Sequence, residues 1–478
     1  MSVDFRGHPM FPQGFNSPTR FEADVYDCEV WGELPKDIEG TFVRMQCDFE
    51  YRPPKNEWPT GFNGDGHISR FRFANGSVDY KGRYVKTSRI MAEREARKRL
   101  FGVYRNKFTD DPSVANVSRS AANTHAYYHG GKLLTLKEDS LPWVVDPHTL
   151  ETLGEYNFNG KYTATSMSAH PKVDPVTGEM IAYGYQAKGD LSTDIAVYTM
   201  NPKGEITKEV WLKSPYLGII HDIAITQKYV IIPVIARTTS LERLKSGEPM
   251  WEWKGDLPTY VGVLPRNGEA KDVRWYKGPS RNTLHFLNAT DRGSKITMEL
   301  PTSSGERDPS QIRRWTFDMA TRNKDTFDEE LVSTANGVLA RMDDRYLGLP
   351  YRYCYVGNRD PALPYDQARG GNNGGRVTNQ YLRVDVRNPT AEPGKYFVGP
   401  VQSLQESCFV PRKGSKGEGD GYLMGIASNY ESMSCDLVIV DAQRMEEGAI
   451  ATVKLPFRLR GGTHTNWYPA DQLPPFKA

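Results

Sequence analysis

Along this chain, short runs of β-branched and aromatic residues alternate with polar turns, and each turn is followed by a second such run. Ile68-Ser-Arg-Phe-Arg-Phe73 turns at Ala74-Asn-Gly-Ser77 into Val78-Asp-Tyr80. Trp143-Val-Val-Asp146 turns at Pro147-His-Thr149 and returns towards Tyr156, and Ile195 to Met200 turns at Asn201-Pro-Lys-Gly204. Tyr260 to Leu264 returns through Val273-Arg-Trp275, Tyr381 to Val386 through Tyr396-Phe-Val398, and Leu437 to Asp441 through Ala451 to Leu455. Turn chemistry between period-two segments predicts a hairpin at each place. The run Tyr229 to Ala236, broken by Pro233, reads as a buried strand.

Helical signal is scarce. Ser88 to Leu100 is the one clear helical stretch, and its interleaved Glu93 and Glu95 among Arg and Lys predict a solvated helix. Arg369-Gly-Gly-Asn-Asn-Gly-Gly375 lacks the Lys-Ser/Thr and following helix of a phosphate loop and reads as a flexible loop. Six hairpins with little helix between them point to an all-β protein built by radial repetition. A β-propeller makes one domain, here residues 1–478, from repeated four-stranded sheets. On pattern alone, a large sandwich or two barrels are the alternatives.

Composition narrows the function classes. The chain has 478 residues, with 61 Lys+Arg against 59 Asp+Glu, so no electrostatic footprint for nucleic acid or an anionic membrane appears. There is no membrane-length apolar stretch, and Met1 to His8 has no signal-peptide core, so a cytoplasmic protein is expected. The five cysteines, Cys28, Cys47, Cys354, Cys408 and Cys435, show no C-x-x-C spacing and read as reduced, mostly buried thiols.

Nine histidines remain to be weighed. His125 and His129 lie just before the predicted strand Lys132 to Leu136; residues four apart in extended chain are about 13 Å apart, too far to share a metal. His170, in Ser166-Met-Ser-Ala-His-Pro-Lys172, and His221, which opens a predicted strand, lie far apart in the chain. So do His285, in the apolar predicted strand Thr283 to Asn288, and His464, in Gly461-Gly-Thr-His-Thr-Asn-Trp467. Their spacing rules out a local metal motif but suits one ligand from each of four propeller blades.

A set of ordered motifs then resembles the carotenoid cleavage oxygenase family, most closely its lignostilbene dioxygenase branch. They are Phe62-Asn-Gly-Asp-Gly-His67 with Tyr84-Val-Lys-Thr87, Leu133-Leu-Thr-Leu-Lys-Glu138, Ala169 to Gly178, and His221-Asp-Ile-Ala-Ile-Thr226. Thr283 to Ala289, Glu406 to Arg412, Asp420 to Leu423 and Gly462-Thr-His464 complete the series, which covers nearly the whole chain.

The resemblance implies a seven-bladed propeller capped by a dome of loops and short helices. It implies a ferrous ion on His170, His221, His285 and His464, with dioxygen as co-substrate. Four neutral imidazoles would leave the site at the charge of the metal, unlike a carboxylate-bearing facial triad. Glu138 and Glu406 match family positions that accept the histidines' outer N–H groups. A third family glutamate is replaced in Val338-Leu-Ala-Arg-Met-Asp343, and Val338 accepts no hydrogen bond. Tyr104 and Lys137 match residues that bind a substrate 4-hydroxyl, and Phe62 an aromatic that packs on its ring. An ammonium beside a phenol favours the phenoxide, which pushes electron density towards the para-attached double bond. The expected function is cleavage of the central C=C of 4-hydroxystilbenes, lignin-derived or resveratrol-like, to two aromatic aldehydes such as vanillin. Apocarotenoid cleavage is the alternative within the family, and a metal-free protein-binding propeller the alternative outside it. Isomerohydrolase chemistry is not expected, and since relatives of this branch are often dimers, a homodimer is.

Overall fold

The turns set the strand pairing. Between Asp65–Ala74 and Ser77–Tyr84, Asn75 (φ 54) and Gly76 (φ 78) are both left-handed, as a two-residue hairpin turn matched to strand twist requires. All six expected hairpins form, and in this computed structural model they lie in six of seven antiparallel sheets. The structure describes residues 3–8, 15–54, 61–321, 323–371 and 378–476. The glycine-rich loop expected at Arg369 to Gly375 lies largely outside them.

The seven sheets are the blades of a propeller. The first runs from His125–His129 to Thr152–Glu155, the second from Lys172–Val173 to Ile206–Lys213, and the third from Gly218–Ile219 to Arg274–Gly278. The fourth spans Asn288–Arg292 to Asp328–Ser333 and the fifth Gly337–Met342 to Gly394–Phe397. The sixth spans Gln402–Pro411 to Ala449–Lys454 and gains Val30–Gly32 from the other end of the chain. The seventh closes the ring. Its innermost strand, Gly462–Pro469, pairs with Gly40–Asp48 from Gly40↔Pro469 to Gln46↔Gly462. Late and early segments thus share one sheet, which closes the ring of blades and leaves only the three-residue Ala23–Val25 at its outer edge.

Alternating apolar positions of adjacent blades fill the spaces between them. Ile181, Tyr183 and Ile195 of the second blade pack with Val230, Ile232 and Val234 of the third, all buried. All five cysteines are buried and free, and burial raises the thiols of Cys28 and Cys435 to about 11. Among the described residues, no helix is long and apolar enough to cross a membrane.

Three local expectations change. The helix ends at Ala96, and it is not simply solvated: Arg89 and Glu93 are buried. Glu93 Oε1 accepts the N–H groups of Leu100 and Phe101 at 2.9 and 3.1 Å, so its charge is spent holding the loop that follows. His285 is not in a strand but in the irregular segment before Asn288–Arg292. His221 does not open a strand either; it lies in the loop between Gly218–Ile219 and Ala224–Ile225.

Candidate metal centre

The innermost strand of each blade, or the loop entering it, brings side chains to the propeller axis. His170 precedes Lys172–Val173, His221 precedes Ala224–Ile225, His285 precedes Asn288–Arg292, and His464 lies within Gly462–Pro469. One ring nitrogen of each lies within 4.8 Å of those of the other three. The His170 ring centroid is 4.6 Å from that of His221, 5.1 Å from that of His285 and 4.6 Å from that of His464.

The polar inventory fits a cation. Nε2 of His285 is buried without a hydrogen-bond partner, and Nε2 of His170 faces Nε2 of His221 at 3.1 Å. Buried nitrogens left to face each other are costly unless a cation takes their lone pairs. Burial, followed by the neighbouring imidazoles, holds His170 and His285 well below the usual histidine range, so both are neutral bases at pH 7. Two outer nitrogens meet carboxylates: Nδ1 of His221 lies 2.7 Å from Oε2 of Glu138, and Nδ1 of His464 lies 3.0 Å from Oε1 of Glu406. These contacts orient the rings with Nε2 towards the axis. Glu406 also accepts the backbone N–H of Thr465 at 2.6 Å.

A cavity of about 470 Å³ opens from three of the histidines, His221, His285 and His464. Its walls are mostly apolar, including Val103, Ile219, Met250, Trp251 and Leu284. Tyr104, Lys137 and Glu138 stand together on one side. Lys137 follows the strand Lys132–Leu136, is 3% exposed, and places Nζ 4.5 Å from the centre of the Tyr104 ring. It is not an exposed strand lysine. Its Nζ donates to the carbonyl of Phe62 at 2.8 Å, while the Phe62 ring is 53% exposed where it meets the cavity. The Tyr104 hydroxyl donates to Oε1 of Glu138. Burial and then the Glu138 charge hold this phenol well above its usual range, so it keeps its proton. Burial opposes ionisation of Glu138, but His221 and Arg105 outweigh it and hold the carboxyl well below the ordinary range.

A family model described as "Retinal pigment epithelial membrane protein" matches residues 16–469. The chain belongs to this family, the carotenoid cleavage oxygenases. Isoeugenol monooxygenase of Pseudomonas putida is 40% identical over 94% of this chain and 96% of its own. Lignostilbene-alpha,beta-dioxygenase isozyme III of Sphingomonas paucimobilis is 38% identical over 96% of this chain and 97% of its own. The crystal structure of Pseudomonas brassicacearum lignostilbene dioxygenase superposes with a TM-score of 0.93 at 37% identity, covering 98% of this chain and all of that one. The seven-bladed propeller of this oxygenase family is therefore established for the chain.

In this family member several residues beyond the motif positions complete the site. His125, set aside on spacing, has its ring 4.8 Å from that of His464. Nδ1–H donates to the carbonyl of Ala169 at 3.0 Å and Nε2 accepts from the Asn466 amide at 3.0 Å, the neutral tautomer that burial enforces. It therefore braces the segments carrying His170 and His464. Arg105, buried next to Tyr104, donates to the Tyr185 hydroxyl at 2.7 Å and lies 3.8 Å from Glu138. Arg105 carries φ 53, and nothing in its sequence neighbourhood marks it. Val338 is 46% exposed; a break in strand register follows it, and Leu339, with φ 51, lines the cavity instead.

Proposed function

We propose that this oxygenase cleaves the central double bond of 4-hydroxystilbenes with dioxygen, giving two aromatic aldehydes. The observation that carries the reading is the buried Lys137–Tyr104 pair on the wall of an apolar cavity that ends at three of the four clustered histidines. A ferrous ion held by His170, His221, His285 and His464 would supply dioxygen binding and activation at that end of the cavity.

The chain's own groups define the rest. A cavity of this size and apolarity holds a two-ring ligand and excludes water from it. Lys137 donates to the substrate's phenolic oxygen and favours its phenoxide. Tyr104 spends its hydrogen on Glu138, so towards a neutral phenol it is an acceptor. For a substrate that enters as its phenoxide, its proton left to bulk solvent, rotation of the Tyr104 hydroxyl away from Glu138 gives a second donor. A buried ammonium on the cavity wall would be a desolvation cost with little return beside a polyene chain, which weighs against an apocarotenoid.

A 4-hydroxyphenylpropene is the second reading. It is favoured by the 40% identity to an isoeugenol monooxygenase and needs the same phenol recognition. The test is to load the full chain with Fe²⁺, supply ¹⁸O₂, and identify the products from 4-hydroxystilbene and from isoeugenol. Two labelled aldehydes from the stilbene at the higher kcat/KM support the first reading. Faster cleavage of isoeugenol selects the second, and no aldehyde from either rejects both.

A further inference from the structure

Glu138 and Glu406 act on histidine rings; a third buried carboxylate, Asp222, acts on the backbone that carries them. Asp222 is 2% exposed and directly follows His221. Its Oδ1 accepts the N–H of Ile223 at 2.8 Å, and its Oδ2 accepts the N–H of Phe286 at 3.0 Å. Nζ of Lys172 meets Oδ1 at 2.7 Å.

Each partner stands beside a different histidine. Lys172 lies two residues after His170, and Phe286 directly after His285. One carboxylate therefore ties together ligand-bearing segments of the second, third and fourth blades. The segments around His221 and His285 have no ladder of their own at the histidine, so strand pairing does not fix these two rings. Asp222 and Lys172 line a second cavity of about 440 Å³ that also touches His170, His285 and His464, and neither lines the apolar one. Neither side chain therefore touches the substrate wall directly.

We infer that Asp222 is a positioning residue for the metal: bridging Lys172 and the Phe286 backbone, it sets His170, His221 and His285 at mutual spacings that bind one cation. The inference rests on the metal reading of the four histidines and deepens it. Hydrogen-bond partners that orient metal ligands commonly change affinity by about 10–100-fold when removed. Here the same effect is expected through backbone placement instead of ring contact.

The test uses the full chain, stripped of metal with a chelator and titrated with Co²⁺, the binding read from its visible ligand-field spectrum. Asp222→Ala loses all three contacts and should bind Co²⁺ about 10–100-fold more weakly, with shifted bands that report altered ligand geometry. Asp222→Asn keeps one acceptor oxygen and should fall between Asp222→Ala and the unaltered chain, and it carries the comparison if Asp222→Ala does not fold. Unaltered affinity and spectrum in either folded variant would overturn the role of Asp222, whatever its effect on melting temperature. Failure of the unaltered chain itself to bind Co²⁺ would instead remove the metal reading on which the inference stands.

Discussion

Tyr104 donates its hydroxyl hydrogen to the carboxylate of Glu138, and the other oxygen of that carboxylate holds His221 at 2.7 Å. The residue expected to meet the substrate phenol is thus two hydrogen bonds away from a metal-facing ring. Tyr104→Phe should keep the metal, because His221 and Arg105 still hold Glu138. It should lower kcat/KM by about 10–100-fold, matching the roughly 1.5–3 kcal/mol of a hydrogen bond to a charged group. Steady-state kinetics beside a metal assay would show it, and metal loss in the variant would contradict it.

Lys137 is the sharper test of phenoxide activation. Lys137→Met fills much the same volume without the charge and leaves the four histidines untouched. Iron content should be unchanged and turnover of a 4-hydroxystilbene should fall by about 100-fold or more, the order expected when a group favouring the reactive protonation state is removed. Turnover at the unaltered rate would mean that Lys137 does not activate the substrate.

His221→Ala should lose iron and all activity. It removes a ring nitrogen from the set of four and leaves Glu138 buried without its histidine partner. Inductively coupled plasma analysis of protein reconstituted anaerobically would read the loss directly. A full equivalent of iron retained on three histidines would contradict the four-ligand site.

A pH effect follows from His67, which lies in the seventh blade against Tyr84 with ring centroids 5.1 Å apart. Burial pulls its pKa down to about 4, against about 6.5 in the unfolded chain. Below pH 6.5 the unfolded state takes the proton first, so stability is lost as pH falls towards 4 and is fully present above 6.5. Between pH 7 and 4.5 the loss from this group is roughly 2–3 kcal/mol. Urea unfolding at both pH values should show His67→Asn losing less stability than the unaltered chain by about that amount. An equal loss in both would show that His67 does not titrate with unfolding.

Much of this architecture is legible in the sequence, because hairpins are local. Asn-Gly turns and β-branched runs specify pairs such as Asp65–Ala74 with Ser77–Tyr84 from short stretches of chain. The metal cluster was legible only through ordered motifs, since convergence of His170, His221, His285 and His464 depends on closing a ring through Gly462–Pro469 and Gly40–Asp48. Glu93 looked like a surface charge because its partners are backbone N–H groups of Leu100 and Phe101, which no side-chain pattern reveals. Arg105, His125 and Asp222 were missed for a related reason. Their partners, among them Tyr185, Asn466 and Lys172, are remote in the chain, and their types are ordinary for the positions they hold.

The most direct test of the central claim compares a 4-hydroxystilbene with its 4-methoxy analogue on protein reconstituted anaerobically with Fe²⁺ and then exposed to air. The account predicts two aldehydes from the phenol and none from the ether, because Lys137 and Tyr104 act on an ionisable hydroxyl. Equal cleavage of both would contradict phenoxide activation, and cleavage of neither by iron-loaded protein would contradict the stilbene assignment itself.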